Sequence, residues 1–416
     1  MLIRKKLKFK SSHDLELNIK REEDPDFVMH YDDEKTPKAF VFVLQGWGSS
    51  ADDKFLNLYL EYFAKKYELV MVSVNYHCIY NRFDLGSHFM LDERDKSILE
   101  KECEKIDIKL SKELLNQKIE KAKVYELVQA LNYKLSELKK ASFLKGDFRL
   151  KLHASIVPKR KEYQNFGLMA ALDILNAALF VKKLFNARGG GGSPLILAGE
   201  SYGAYLSMLC AKLAPWLVDG LIENSGGVEI LPWHVGLGKE LDFTKYPELA
   251  PIENETYENL SIYTSTKSLW NLDEKSKFYF SPARKAIRTL LNKEHLKTMA
   301  GLARPLYVSY HCKFDPVASF EAKKEFINEL LALGFEVDFK SIVSENQVDG
   351  KFIKNLNHGM DTPLKMLIEK ELFPLLQRLE NRKKPNCEKN ISYLCDDLLY
   401  NFFEEEDQLK LKIKGL

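Results

Sequence analysis

Gly199-Glu200-Ser201-Tyr202-Gly203 is the stretch of this sequence with the plainest chemical content. A serine hydroxyl is a weak nucleophile near neutral pH. It becomes useful only with a base within hydrogen-bond reach and a third group that orients the base. The apolar run at 194–198 predicts a buried strand and the run at 204–213 a helix, so Ser201 falls on a strand-to-helix turn. Flanking glycines are needed there because neighbouring chains approach closely, and the helix that follows points its N–H groups at the hydroxyl. Two later loops supply partners. His311-Cys312-Lys313-Phe314-Asp315 follows a predicted strand at 306–310; Asn357-His358-Gly359-Met360-Asp361 follows another at 335–342 after a short insertion. On this kind of turn the chain order is Ser, acid, His. Both loops leave the carboxyl ends of strands, the edge that the serine occupies. The reading assigns Ser201 as nucleophile, His358 as general base and then acid, and Asp315 as orienting carboxylate, with Asp361 in reserve.

A carbonyl attacked by Ser201 becomes an oxyanion and needs donors. One expected donor is the backbone N–H of Tyr202; the other comes from the glycine-rich turn at 45–48, through Gly46 or Trp47. Gln45, Glu200, Tyr163, Asn224 and His311 are expected to line the substrate pocket. Caps and turns explain Tyr163 and Asn224 equally well, and a structural role explains His311 better. No metal is expected: the six cysteines are scattered without a CxxC pair, and no His/Cys set has ligand spacing. No cofactor is expected either, because there is no GxGxxG, and the glycine run at 189–192 lacks the GK[ST] of a phosphate loop.

The elements that must position these residues read as strand, helix, strand. Period-two alternation predicts strands near 7–9 and 15–19, with a third at 27–29. Continuous apolar runs at 39–44 and 69–74 flank a helix at 54–66 and suit the interior of a parallel sheet. Residues 91–141 interrupt the pattern. Their apolar positions (Leu99, Cys103, Ile106, Leu110, Leu114, then Val124, Leu127, Leu131, Leu135, Leu138) step by three and four, which predicts a helical pair. Helix pattern alone carries no chemistry, so packing on the body is the favoured reading over a lid on a pocket or a surface for self-association. Helices at 165–185, 320–333 and 363–380 resume the body. The expected fold class is α/β, a doubly wound and mostly parallel sheet with a helical cap insertion. The expected division is a first core segment at 1–90, a helical insertion at 91–160, and the rest of the core at 161–382. Within the last lies an irregular insertion at 228–300, and a helical tail follows at 383–416.

Length and composition bound the partners. A chain of 416 residues with 45% hydrophobic and 12% aromatic residues builds a sizeable core. Lys+Arg of 62 against Asp+Glu of 60 leaves a net charge of +2, which gives no reason to expect nucleic acid or an anionic membrane. The amino terminus is charged before any apolar run develops, and the most apolar stretch, 167–181, contains Asp173 and Asn176 and is short for a bilayer. Free thiols and these features give the expectation of a cytoplasmic protein. The helical insertion and the apolar tail positions permit a homodimer.

The Ser, Asp and His motifs together make the chain resemble the α/β-hydrolase superfamily over 35–80, 160–228 and 303–382. The loop ending in Asp315 is similar to the HGxxD loop of prolyl-oligopeptidase-like members, with Cys312 where glycine is usual and Gln45 where histidine precedes Gly46. Tyr31-Asp32-Asp33-Glu34-Lys35, the Gly-aromatic-Gly turn at 46–48, Glu162-Tyr163-Gln164-Asn165 and the stretch 214–220 resemble an uncharacterised family of flagellate bacteria of the epsilon class, with members encoded among flagellin-glycosylation genes. That resemblance implies work on sugar-linked acyl groups, and with it a small-molecule or glycan substrate. Three readings compete: a serine esterase or deacylase, together with the acyltransferase that shares its acyl-enzyme; a serine peptidase; and a non-catalytic binding module of the same fold.

Overall fold

A computed structural model of the chain describes residues 1–47, 49–230, 253–256, 258–382 and 387–416. Gly48, most of 231–257 within the expected 228–300 insertion, and 383–386 at the start of the expected tail lie outside the described residues. In chain order the strands are β1 (Leu2–Lys8), β2 (Asp26–Asp32), β3 (Phe40–Leu44), β4 (Val70–Asn75), β5 (His88–Leu91), β6 (Ile119–Glu120), β7 (Leu150–Val157), β8 (Leu195–Glu200), β9 (Gly220–Asn224), β10 (Glu253–Thr256), β11 (Leu260–Thr266), β12 (Leu306–Cys312), β13 (Val337–Ile342), β14 (Asn390–Cys395), β15 (Leu398–Glu405) and β16 (Gln408–Gly415). The helices are α1 (Lys54–Tyr67), α2 (Glu93–Glu104), α3 (Lys112–Asn116), α4 (Ala122–Lys140), α5 (Leu168–Asn186), α6 (Tyr202–Leu213), α7 (Pro282–Arg288), α8 (Lys293–Leu302), α9 (Phe320–Ala332) and α10 (Leu364–Glu380).

The chain forms two compact units. The first comprises Met1–Ile79, Gly167–Ile230 and Ser281–Leu416 and holds an eight-stranded sheet in the order β1-β2-β4-β3-β8-β9-β12-β13. β2 runs antiparallel to both of its neighbours, β1 and β4; β4, β3, β8, β9, β12 and β13 are mutually parallel. The inner strands β3, β4, β9 and β12 are buried at every residue, because helices cover both faces. Val41, Val43, Ile196 and Ala198 join α1 and α10 in one apolar core. On the opposite face Phe40 meets Phe185 of α5 edge-on at 5.7 Å. Asp53 caps α1 by accepting the Leu56 N–H. The near-continuous apolar character of α5 reflects burial within this unit, and its buried Asp173 is held by Arg21 at 2.7 Å and by the His77 N–H at 2.8 Å. Among the described residues, no helix is long and apolar enough to cross a membrane.

Three sequence-derived elements differ from the structure. Residues 15–19 form a turn closed by an Asp14–Ile19 bridge rather than a strand, because the Asp14 carboxylate takes the Leu17 N–H and diverts the backbone. The tail from 387 is a three-stranded antiparallel meander, β14-β15-β16, and not helical. Leu394, Leu398 and Phe402 mimic a helical stripe. The buried set, however, has period two: Ile391, Tyr393 and Cys395 on β14, Tyr400 and Phe402 on β15, while Leu394 is 60% exposed. Glu406 and Asp407 both adopt positive φ, as a two-residue hairpin turn requires.

The third difference concerns the insertion. The second unit comprises Tyr80–Phe166 and Leu231–Phe280, so residues from 281 onward, α7 and α8 among them, belong to the first unit. The second unit is not simply a pair of helices. It holds a five-stranded sheet, β10-β11-β7-β5-β6, in which β7 and β11 run parallel. The apolar positions read from sequence on α2 and α4, from Leu99 and Cys103 to Leu131 and Leu135, pack against Leu150, Leu152, Leu260 and Ile262 of that sheet. Helical continuity breaks after α2, where Asp107 turns with φ of 57°, so Leu110 lies in a loop. Buried Asp95 ties α2 to β7 through His153 at 2.7 Å and Ser155 at 2.8 Å.

Candidate active site

Ser201 sits between β8 and α6 with φ 51° and ψ −119°, a conformation that L residues rarely hold. The flanking glycines make it affordable. A β-carbon on Gly199 would lie 2.5 Å from the carbonyl carbon of Gly203, and one on Gly203 would lie 2.1 Å from the Leu44 carbonyl oxygen. The Ser201 N–H donates to the Asn224 carbonyl at 2.8 Å, which pins the turn to the end of β9. Ser201 itself is half-buried, with its hydroxyl off the end of the sheet.

The loops after β12 and β13 bring their side chains to that hydroxyl. His358 Nε2 lies 2.7 Å from Ser201 Oγ, and His358 Nδ1 lies 2.9 and 2.8 Å from the two carboxylate oxygens of Asp315. A carboxylate only accepts, so Nδ1 carries the imidazole proton and Nε2 is left to accept from the serine. The side chain of Asp315 is fully buried and also takes the Val317 and Ala318 N–H groups at 2.8 and 3.0 Å. Burial alone would raise its carboxyl; the His358 hydrogen bond and these N–H donors outweigh that and hold it below the ordinary carboxylate range. The reserve acid Asp361 is exposed and holds Asn355 Nδ2 at 2.6 Å instead.

Two features that sequence reasoning did not assign fasten these loops. Asn224 does not line a pocket: it is 1% exposed, and its Nδ2 donates to the Gly359 carbonyl at 2.9 Å. Ser225 Oγ accepts the Gly359 N–H at 3.1 Å, so both backbone groups of the residue after His358 are clamped to the end of β9. Gly359, Met360 and Asp361 all have positive φ, a tight left-handed turn that needs such anchoring. Cys312, where relatives of the resembled loop have glycine, donates its thiol to the Leu356 carbonyl at 2.9 Å and joins the acid loop to the histidine loop. The glycine-to-cysteine departure was visible in the sequence; the Asn224–Ser225 clamp had no local signal.

The remaining expected residues divide. Glu200 ends β8 beside Ser201, and its carboxylate accepts the Gly46 N–H; burial pushes that carboxyl up, while the Gly46 hydrogen bond and nearby His358 pull it down. Gly46 lies over the serine: a β-carbon there would be 3.5 Å from Ser201 Cβ. The ring of Trp47, half-buried, meets the Tyr202 ring edge-on at 4.8 Å. Tyr202 opens α6, so its N–H belongs to the first turn that finds no partner within the helix. Gln45 is buried. His311 is fully buried and does not face solvent. Its Nε2 donates to the Ala318 carbonyl at 3.0 Å beneath the acid loop, and burial pushes the imidazole down. Tyr163 belongs to the second unit, where its neighbours Gln164 and Asn165 take backbone roles, Gln164 N–H donating to the Lys267 carbonyl at 2.7 Å and the Asn165 carbonyl accepting the Trp270 indole at 3.3 Å. Among the described residues, no group of three or more His, Cys, Asp or Glu side chains could hold a metal.

An eight-stranded sheet in this order with only its second strand reversed, and a serine on a strained turn between the fifth of its strands and a helix, define an α/β-hydrolase fold. Within that class the chain belongs to the family described as "Protein of unknown function (DUF2920)", which matches residues 5–413. No curated protein matches the sequence. Among solved structures it is similar to the acylaminoacyl peptidase of Pyrococcus horikoshii, at 12% identity and a TM-score of 0.43, over 93% of this chain and 42% of that one. It is similar to an esterase of the fungus Rhizomucor miehei at 14% identity and 0.43, over 91% and 84% of the two chains. It is also similar to the bacterial brefeldin A esterase at 12% identity and 0.43, over 91% and 76%. The chain spans less than half the length of the peptidase.

Proposed function

We propose that the protein is a serine hydrolase that works through an acyl-enzyme, an esterase or deacylase acting on an acylated small molecule or sugar. One observation carries the reading: His358 Nε2 lies 2.7 Å from Ser201 Oγ while its Nδ1 is held by buried Asp315. In this reading His358 takes the serine proton as Oγ attacks the acyl carbonyl, and Asp315 fixes the tautomer and stabilises the imidazolium that forms. His358 then returns the proton to the leaving alcohol. Water, activated by the same imidazole, hydrolyses the ester of Ser201 and restores the hydroxyl. The Tyr202 N–H and an N–H of the 45–47 turn hold the oxyanion, each of the order of 3 kcal/mol of transition-state stabilisation.

The acyl-enzyme is also what an acyltransferase would use, with a sugar hydroxyl in place of water. The resemblance of the sequence to a family encoded among flagellin-glycosylation genes supports a sugar-linked acyl group and a part in flagellar glycan modification. The test is active-site labelling. A fluorophosphonate is expected to modify the folded protein at Ser201, and Ser201→Ala to abolish it. Labelling that survives the substitution moves the nucleophile elsewhere. Folded protein that takes no label is a binding module of this fold. After labelling, a panel of acyl sugars assayed with and without acceptor sugar separates deacylation from transfer.

A further inference from the structure

The segment that clamps the residue after His358 has to be held itself. Three hydrogen bonds close a ring between the two. The Ser225 hydroxyl donates to Asn224 Oδ1 at 3.1 Å, Asn224 Nδ2 donates to the Gly359 carbonyl at 2.9 Å, and the Gly359 N–H donates to Ser225 Oγ at 3.1 Å. The ring fixes which way the amide and the hydroxyl point, so it sets the histidine turn only as well as its own backbone is set. That backbone is a weak place. Asn224 is the last residue of β9 paired with β12, and Ser225 beyond it turns left-handed with φ of 57°. Gly226 and Gly227 follow, and glycine is the residue type that holds its conformation least. Position 226 has little room for a side chain: a β-carbon there would lie 2.6 Å from Met208 Cε and 2.9 Å from Ala204 Cβ of α6.

A buried ion pair supplies the hold. Glu223 Oε2 accepts the Gly226 N–H at 3.2 Å, and Lys323 Nζ donates to the Gly226 carbonyl at 3.0 Å. The two side chains meet at 2.6 Å, and neither is exposed. Ser309 of β12 donates its hydroxyl to Glu223 Oε1, and the Lys323 ammonium also reaches Met208 Sδ at 3.4 Å. Lys323 lies one turn into α9, the helix that the Asp315 loop runs into, and its N–H donates to the Ser319 carbonyl at 3.1 Å. The pair therefore joins the element beyond the acid to the segment that sets the histidine, by gripping both backbone groups of one glycine. Net stability is a poor account of this arrangement, because two buried charges replaced together by uncharged side chains often leave a protein as stable or more so. Apolar side chains could fill the same space, but they would neither accept the Gly226 N–H nor donate to its carbonyl.

We propose that Glu223 and Lys323 are positioning residues for His358: the pair pins the Gly226 backbone and, through the Asn224–Ser225 ring, sets the turn that carries the imidazole to Ser201. The proposal rests on the serine-hydrolase reading and extends it to how the histidine is held. The pair acts through Gly226 and the ring, and not on the substrate.

The experiment is a mutant cycle on the whole chain. Its readout is the second-order rate of Ser201 labelling by a fluorophosphonate, at a temperature where thermal melts show every variant folded. Glu223→Gln together with Lys323→Met removes both charges at once and leaves the Gly226 carbonyl without its donor. The paired variant is expected to label about ten-fold more slowly than wild type, but less than about two-fold more slowly when Ser225→Ala is already present, because both changes loosen the same ring. A paired variant that labels within about two-fold of wild type overturns the proposal. So does a loss that is the same with and without Ser225, which is what a general structural role gives. If the paired variant does not fold, Ser309→Ala, which takes a single hydroxyl from Glu223, carries the same cycle. It is expected to slow labelling about three-fold in the wild-type background and not at all beside Ser225→Ala; an equal loss in both, or none in either, overturns the proposal. In each of these outcomes labelling of the wild type at Ser201 leaves the hydrolase reading standing. Folded wild-type protein that takes no label overturns that reading and the proposal together.

Discussion

Asp315→Asn tests the arrangement through hydrogen-bond logic. The Asp315 carboxylate receives four contacts: His358 Nδ1 on both oxygens, and the Val317 and Ala318 N–H groups on Oδ1. Asparagine is nearly isosteric, and its carbonyl oxygen keeps the two backbone donors. Its NH₂ then occupies the Oδ2 position, 2.8 Å from Nδ1. A donor there forces the imidazole to present a lone pair at Nδ1, so its proton moves to Nε2, the atom 2.7 Å from Ser201 Oγ. In that tautomer His358 cannot accept the serine proton. The expected loss in the rate of fluorophosphonate labelling is about 10⁴-fold, or about 5 kcal/mol of barrier. The folding signature is separate. Asp315 has a carboxyl lowered by folding, so its stabilising contribution is present above the ordinary carboxylate range and is lost as pH falls through the depressed folded value. Asp315→Asn is therefore expected to melt below the wild type at pH 7, with the gap closing as pH falls below the ordinary carboxylate range. The assay is labelling rate against melting temperature across pH. A variant that labels within ten-fold of wild type at pH 7 refutes the role given to Asp315, whatever its stability.

Three further outcomes follow from the geometry. Gly203→Ala places a β-carbon 2.1 Å from the Leu44 carbonyl oxygen and 2.6 Å from that of Gln45, both backbone atoms, and is expected to lower the melting temperature by several degrees or prevent folding; an unshifted melt contradicts the close approach. Ser225→Ala removes the acceptor of the Gly359 N–H at a cost of about 1–3 kcal/mol, and is expected to slow Ser201 labelling by ten-fold or more with only a modest change in melting; equal labelling would mean that His358 is positioned without this clamp. Asp95→Ala strips His153, Ser155 and the Asp92 N–H of their common acceptor inside the second unit and should cost about 3 kcal/mol. Hydrogen exchange is expected to show lost protection along β7 and α2, and protection retained there would assign that network little weight.

Much of the site was legible because it is written in short motifs with local consequences. A serine between glycines, after a buried strand and before a helix, implies its strained turn, and the observed φ of 51° at Ser201 is what that motif predicts. Parallel inner strands were legible for the same reason: continuous apolar runs such as 40–44 suit strands covered on both faces. The tail failed because Leu394, Leu398 and Phe402 satisfy a four-residue spacing and a two-residue spacing at once, and only pairing with a neighbouring strand decides between them. The insertion was half read: its helical stripes are real, but the strands they cover are short and far apart in sequence, with β7 and β11 meeting across more than a hundred residues.

The sequence by itself determined the kinds of groups available, the order in which serine, acid and histidine occur, and the local geometry of the serine turn, since these depend on side-chain chemistry and near-neighbour sterics. Only the tertiary structure decided that Asn224 and Ser225 clamp the residue after His358 and that His311 is buried beneath the acid loop. Those facts depend on which strand ends become neighbours in the sheet. That adjacency is set by the burial of whole faces, which no single stretch of residues encodes.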